Sequence, residues 1–183
     1  LYRWLGWASL RLADTDFYLG NYRSSLLWSR KAHAAGELAF DFELLIAGLV
    51  AKLRAHLELG NLNEALEAAF ERLRLVQAVG HNLDLLRALA DIALTYHELG
   101  ADEKGMDYVL EALNTADLSR ADTDLLFQVH NTVGLIYEAL GHRSAALVHH
   151  RIANRLVSRV YNWPGNMVVG FGLLGQSYLR LGE

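Results

Sequence analysis

The chain contains no cysteine, and only one of its 183 residues is proline. The absence of cysteine excludes a disulfide framework, a thiolate metal site and a cysteine nucleophile, and it allows a reducing compartment. Because proline is the strongest helix breaker, a chain with Pro164 as its only proline can form long helices over its first ~160 residues. Chain reversals must then rely on glycine, which occurs 15 times.

Positive charge is scarce as well, since 17 lysines and arginines stand against 21 aspartates and glutamates, for a net charge of −4. Binding to nucleic acid usually needs clustered cations that displace counterions from phosphates, so we expect no direct nucleic-acid partner. Apolar runs such as 44–50 fall well short of the ~20 residues that span a bilayer, and no signal peptide opens the chain. We therefore expect a soluble, cytoplasmic protein without a membrane partner.

The motifs of common enzymes are missing from an otherwise globular composition, with 52% apolar and 21% charged residues. There is no glycine-rich phosphate loop, no H-E-x-x-H and no G-x-S-x-G. His142 and His149 lie seven residues apart, about 10 Å on a helix, and the adjacent side chains of His149 and His150 diverge by roughly 100°, so the three cannot share one metal ion. We expect no enzyme, no cofactor and no metal site.

A Leu-Gly dipeptide recurs along the whole chain with spacings of 40, 40, 41 and 41 residues. Its five copies are 19–20, 59–60, 99–100, 140–141 and 181–182. Four residues before each glycine stand Asp16, His56, Tyr96, Tyr137 and Tyr178; seven before it stand Ala13, Leu53, Ala93, Gly134 and Gly175. A small residue followed three positions later by an aromatic one lies on the same helical face, and the glycine then ends the helix. Each copy therefore predicts the turn of an antiparallel helical hairpin.

This pattern resembles the tetratricopeptide repeat, most clearly in residues 133–141 and 174–182, although the period of 40–41 exceeds that family's usual 34. Similar long repeats occur in bacterial regulators. The resemblance implies an all-α fold, a right-handed α-solenoid of about four and a half repeats. We place the repeats at 1–40, 41–80, 81–120 and 121–162, with a half repeat at 163–183.

The predicted helices follow from the turns and from the apolar periodicity. First helices are expected at 2–19, 41–59, 82–99, 122–140 and 165–181, and second helices at 21–36, 62–79, 102–117 and 143–161. Asn61, Asp102 and Asp122 are the expected N-caps. Because the chain starts at Leu1 and ends within the fifth hairpin, we expect a piece of a longer protein, whose open ends at 1–19 and 165–183 could pair two copies into a homodimer.

In the family that the repeat resembles, ligands usually lie along the concave side, which is lined by the first helices. The resemblance therefore implies a concave groove for a partner protein or peptide. The matching positions are Trp7, Leu10, Asp14 and Phe17; Ala47, Val50, Arg54 and Leu57; Arg87, Ala90, Asp91, Leu94 and His97; and Gln128, Asn131, Leu135 and Glu138. With one asparagine and no lysine, this set does not fit the family's recognition of chaperone tails. Arg54 and Arg87 could grip a carboxylate, or they could be solvated or ion-paired within the chain.

Three functions remain open at this point. The first is a protein-interaction or sensory module of a larger bacterial regulatory or signalling protein. The second is a receptor for a small molecule or a signal peptide, which would need a buried polar pocket. The third is a self-assembly scaffold that dimerises through the ends of the solenoid.

Overall fold

The computed structural model describes residues 1–80, 82–115 and 123–160, and its regular structure there is entirely α-helical. The helices are α1 (Tyr2–Tyr18), α2 (Tyr22–Ala39), α3 (Phe42–Glu58), α4 (Leu62–Val79), α5 (Asn82–Glu98), α6 (Asp102–Thr115), α7 (Thr123–Ala139) and α8 (Arg143–Val160). They belong to two compact units, Leu1–His81 with α1–α4 and Asn82–Glu183 with α5–α8. Within each unit, consecutive helices pack against each other as hairpins. The predicted all-α solenoid fold class is confirmed.

The turn inside each hairpin has the same hydrogen bonds, because glycine occupies the same position each time. Gly20, Gly60, Gly100 and Gly141 have φ between +70° and +81°, which glycine adopts without a steric penalty. In the first hairpin Gly20 donates to the Phe17 carbonyl and Asn21 donates to the Asp16 carbonyl. The same pair of bonds recurs at the other three glycines, so that each first helix ends in a Schellman motif. The Leu-Gly signal therefore identified the four described hairpin turns correctly.

The small residues of the repeat allow close packing between neighbouring helices. A Cβ atom on Gly134 of α7 would lie 2.6 Å from the ring of His150 on α8, and one on Gly48 of α3 would lie 2.9 Å from the backbone nitrogen of His33 on α2. In the first unit the core includes Leu10 and Leu44, and Trp7 and Trp28 pack against it. Full burial of one such leucine contributes about 1.5–3 kcal/mol to folding.

One helix end differs from the prediction. We expected α2 to end at Gly36, but this glycine is buried inside the helix, where Leu45 of α3 packs on it, and α2 continues to Ala39. The left-handed residue that ends the helix is Phe40, with φ +51°. The other described first and second helices match their predicted bounds to within about two residues, which is the usual uncertainty of helix ends. Asp122 and residues 165–181 lie outside the described residues.

The expected N-caps are also partly wrong. Asn61 makes no side-chain capping bond, and its amide instead lies 3.4 Å from Nδ1 of His56. Asp102 lies in the first turn of α6, and its carboxylate contacts His97. The side-chain cap of α3 is Asp41, which accepts a bond from the Leu44 amide and forms an ion pair with Arg3 at 2.8 Å. In the part of the chain that the structure describes, no helix has both the length and the apolar character needed to cross a bilayer.

Candidate functional site

The first-helix positions that we predicted to bind a partner are mostly half-buried, and they are described here unit by unit. In the first unit, three of them form one cluster. The guanidinium of Arg54 on α3 lies 4.1 Å from the ring centroid of Phe17 on α1 and 3.9 Å from the carboxylate of Asp14. Stacking and ion pairing thus occupy Arg54 within its own unit.

The remaining positions of the first unit contribute less to its surface. Leu10 is only 8% exposed and belongs to the core, and Trp7 packs against the same core. Ala47, Val50 and Leu57 are half-buried. Leu10 therefore contributes to the stability of the fold and does not contact a partner, because its side chain is almost inaccessible.

In the second unit, the ends of α5 and α7 and the start of α8 line an open cleft of about 380 Å³. It is lined by His97, Leu135, Glu138, Ala139 and Arg143, three of which are predicted first-helix positions. We call it the α5–α7 cleft. It has the size of a site for a few side chains of a peptide or for a small ligand.

The charged side chains around the α5–α7 cleft differ in whether another side chain of the unit lies close to them. Nδ1 of His97 lies 2.6 Å from Oδ1 of Asp102, and Oε2 of Glu138 lies 3.7 Å from Nε2 of the buried His150. Arg143, by contrast, is exposed and has no ion-pair partner among the described residues. Among the described residues, the cleft therefore presents one cation, Arg143, beside the apolar side chain of Leu135, and one carboxylate, Glu138, on the side of His150.

The repeat explains why this cleft is open. By the 40- and 41-residue offsets, Leu135 of α7 stands where Arg54 stands in α3, and His97 stands where Phe17 stands in α1. In the first unit the long Arg54 side chain covers Phe17 and fills the equivalent space. Leu135 is shorter and uncharged, so the corresponding space in the second unit stays accessible.

Asn131 adds a polar feature to the same helix. It lies one turn before Leu135 and two turns before Glu138, so that the three share a face of α7. Its side-chain Oδ1 is buried and has no hydrogen-bond partner among the described residues. An orphaned buried acceptor costs about 1–3 kcal/mol, but Asn131 is not one of the residues that line the cleft.

The other predicted positions of the second unit do not converge on the cleft. Arg87 forms an ion pair with Asp84, one turn earlier on α5, at 3.9 Å. Ala90 is buried, Asp91 and Leu94 are half-buried, and Gln128 is exposed. Arg87 is therefore a surface residue with an intrahelical partner, like most lone helical arginines.

Two further polar clusters lie in the second unit. Tyr96 and Tyr108 stack with ring centroids 5.6 Å apart beside a space of about 360 Å³, and burial raises the pKa of Tyr108. The Nδ1 atoms of His130 on α7 and His149 on α8 lie 3.0 Å apart. Burial lowers the pKa of both histidines, and their mutual repulsion when charged lowers that of His149 further. Among the described residues, no group of three or more metal-ligating side chains is arranged around one point.

Sequence reasoning missed Arg143, because it took candidate positions from the first helices alone. It also missed Ala139, which lies on the first helix α7 but outside the positions that we assigned to the groove. Arg143 is the first residue of α8, and its repeat equivalents Tyr22, Leu62 and Asp102 open the other second helices. In the first hairpin Tyr22 contacts Phe17, and in the third Asp102 contacts His97. Comparing this register position between repeats would have added Arg143 to the candidates.

The fold of the chain is similar to that of solved helical-repeat structures. BtubC (BKLC) from P. vanneervenii aligns with a TM-score of 0.71 at 21% identity, over 93% of this chain and 70% of that one. The apo form of RapI aligns with a TM-score of 0.71 at 13% identity, over 98% of this chain and 69% of that one. No protein-family model matches the chain, and no curated protein matches it in sequence. Similarity at this level of identity concerns the fold, which is a tetratricopeptide-like stack of helical hairpins.

Proposed function

We propose that this chain is a binding module of a larger regulatory or signalling protein, and that it binds a peptide segment of a partner protein in the α5–α7 cleft. The observation that carries the proposal is the unpaired Arg143 beside Leu135, in a space that Arg54 fills in the first unit. An apolar peptide side chain would pack on Leu135, and a carboxylate of the peptide would accept hydrogen bonds from the Arg143 guanidinium.

The proposal is tested with peptides selected from a random display library against the whole chain. We expect the selected peptides to share an apolar residue near an acidic one. The substitution Arg143→Ala should raise their Kd by about tenfold or more, because a charge-assisted hydrogen bond contributes about 1.5–3 kcal/mol. Arg74→Ala is the matched control, since Arg74 is an exposed arginine on α4 of the first unit. Equal affinities of the wild type and Arg143→Ala for every selected peptide would refute the proposal.

A small-molecule or signal-peptide receptor is the second candidate, supported by the volume of the cleft, which lies in the range of small-ligand sites. The ligand of this second candidate differs from that of the first proposal, but the binding residues are the same. A small acidic metabolite that displaces the selected peptides from the wild type, and not from a chain with Arg143→Ala, would favour it.

Self-assembly through the ends of the stack is the third candidate. Residues 165–183, one of the two ends, lie outside the described residues. The other end exposes apolar side chains of α1, which supports an interface there. A molar mass in light scattering that stays monomeric up to millimolar concentration would eliminate this candidate.

A further inference from the structure

We infer that the second unit carries a further binding site, which takes the guanidinium group of an arginine side chain from a partner protein. The site is an open space of about 360 Å³ on the hairpin of α5 and α6, and we call it the tyrosine pocket. It is lined by Tyr96 of α5 and by Lys104, Asp107, Tyr108 and Glu111 of α6. The tyrosine pocket is separate from the α5–α7 cleft, because Tyr96 and His97 are adjacent on α5 and their side chains point roughly 100° apart.

Two stacked aromatic rings line the tyrosine pocket. The ring centroids of Tyr96 and Tyr108 lie 5.6 Å apart, and the ring planes differ by only 16°. The lining residues of α6 follow the spacing i, i+3, i+4 and i+7, so that they share one face of that helix. The π-face of an aromatic ring attracts a cation, and a planar guanidinium stacks on it better than a compact, strongly hydrated ammonium does.

The charged side chains that line the tyrosine pocket also favour a cation. Asp107 and Glu111 contribute two carboxylates against the single ammonium of Lys104. Burial raises the pKa of the Tyr108 hydroxyl, and the charges of Glu111 and Asp107 raise it further, so the potential at this ring is negative. Lys104 is exposed, and its Nζ lies 5.9 Å from the Tyr96 centroid, at the far limit of a cation–π contact. A carboxylate beside a ring can accept bonds from a guanidinium that stacks there.

The first hairpin holds a cation at the equivalent ring. By two 40-residue offsets, Tyr108 and Glu111 of α6 stand where Trp28 and Lys31 stand in α2. Nζ of Lys31 lies 4.1 Å from the centroid of the Trp28 ring. In the third hairpin this lysine is replaced by a glutamate, so the position that supplies a cation in α2 supplies a carboxylate in α6.

The second hairpin holds a cation at the equivalent carboxylate. Glu71 of α4 stands 40 residues before Glu111, and its carboxylate lies 3.7 Å from Nζ of Lys52 and 3.5 Å from Nε2 of His33. The equivalent of Lys52 in α5 is Ile92, which has no charge. The tyrosine pocket therefore combines the ring of the first hairpin with the carboxylate of the second, without the lysines that contact them there.

The probe for this site is N-acetyl-arginine amide, a single arginine side chain without terminal charges. Its Kd for the whole chain is measured by titration in ¹H–¹⁵N NMR spectra, and we expect a value on the order of 1–10 mM, since one side chain supplies all of the contacts. N-acetyl-norleucine amide, which has an uncharged side chain, should bind at least about fivefold more weakly.

Substitutions in the pocket separate the ring from the carboxylate. Asp107→Asn and Tyr108→Leu should each raise the Kd by about threefold to fivefold, through loss of an exposed ion pair and of a cation–π contact. Tyr108→Phe keeps the aromatic ring and should keep the affinity, so a loss of folding in Tyr108→Leu would leave the ring testable. Glu103→Gln is the matched control, because Glu103 is an exposed acid on α6 that does not line the pocket. Arg143→Ala should also leave this Kd unchanged, which distinguishes the tyrosine pocket from the α5–α7 cleft.

Other ligands give distinct results. N-acetyl-lysine amide should bind more weakly than the arginine amide, and equal or tighter binding would overturn the assignment to a guanidinium. Free arginine should bind more weakly too, because the acidic residues of the pocket repel its α-carboxylate; tighter binding would assign the pocket to a free amino acid instead of a partner protein. Equal Kd values for the arginine and norleucine amides would contradict the inference, as would a loss of affinity in Glu103→Gln as large as that in Asp107→Asn.

Discussion

Phe40 offers a direct test of the energetics at the end of α2. It is the only described residue other than glycine with a positive φ, at +51°, and its side chain is 95% exposed. A left-handed conformation costs an L-residue roughly 1–2 kcal/mol, and glycine avoids that cost. Since glycine also loses about 0.5–1 kcal/mol more backbone entropy on folding, the net expectation for Phe40→Gly is a stabilisation of about 0.5–1 kcal/mol. The exposed ring offers little packing energy to lose.

Urea denaturation of the whole chain measures this change as a higher midpoint at constant m-value. Phe40→Ala is the control, because alanine keeps the left-handed penalty while it also removes the exposed ring. We expect Phe40→Ala to fall within about 0.5 kcal/mol of the wild type, as surface substitutions usually do. If Phe40→Gly is no more stable than Phe40→Ala, the penalty assigned to this turn is wrong.

Three further predictions concern stability. Burial lowers the pKa of His130 and His149, so the unfolded chain binds more protons than the folded one below the ordinary histidine pKa of about 6.5. The free energy of unfolding should therefore be highest above that pH and should fall as the pH drops below it. Urea midpoints measured across this pH range should show the loss, and the loss should be smaller in His130→Asn. Leu44→Ala should destabilise the chain by about 2–5 kcal/mol in calorimetry, since its side chain is fully buried; a loss below about 1 kcal/mol would contradict the core described for the first unit. Gly48→Ala should destabilise in spite of the helix propensity of alanine, because its Cβ would meet the His33 backbone at 2.9 Å; a stabilised variant in urea denaturation would contradict that packing.

The sequence predicted the fold well because the same local motif repeats along it. Each Leu-Gly turn needs a positive φ that glycine supplies, and the small residues before it mark the packed side of a helix. Gly36 was misleading for the same reason, since a glycine near the end of a predicted helix indicates a stop. Its actual role is to let Leu45 approach α2, and that contact is made across the hairpins. Composition near a helix end cannot distinguish these two uses of glycine.

The candidate site was less predictable, because it depends on which side chains the chain itself occupies. Arg54 and Arg87 were equivalent candidates in the sequence, and each has an acidic partner within its own unit. His97, Leu135 and Glu138 line the cleft that the structure contains, but nothing local indicates that Leu135 leaves open the space that Arg54 fills. The availability of Arg143 likewise depends on three-dimensional neighbours. Periodicity predicts the helix face on which a residue lies. Which space near that face stays unfilled depends on the three-dimensional positions of the neighbouring side chains.

The most direct measurement of the central claim is the effect of Leu135→Arg on peptide affinity. This substitution places in the α5–α7 cleft the residue that fills the equivalent space of the first unit. We expect Leu135→Arg to raise the Kd of library-selected peptides by about tenfold or more, and Arg54→Leu to leave it unchanged. Unchanged affinity in Leu135→Arg, with the helical content of the wild type, would show that partners bind elsewhere.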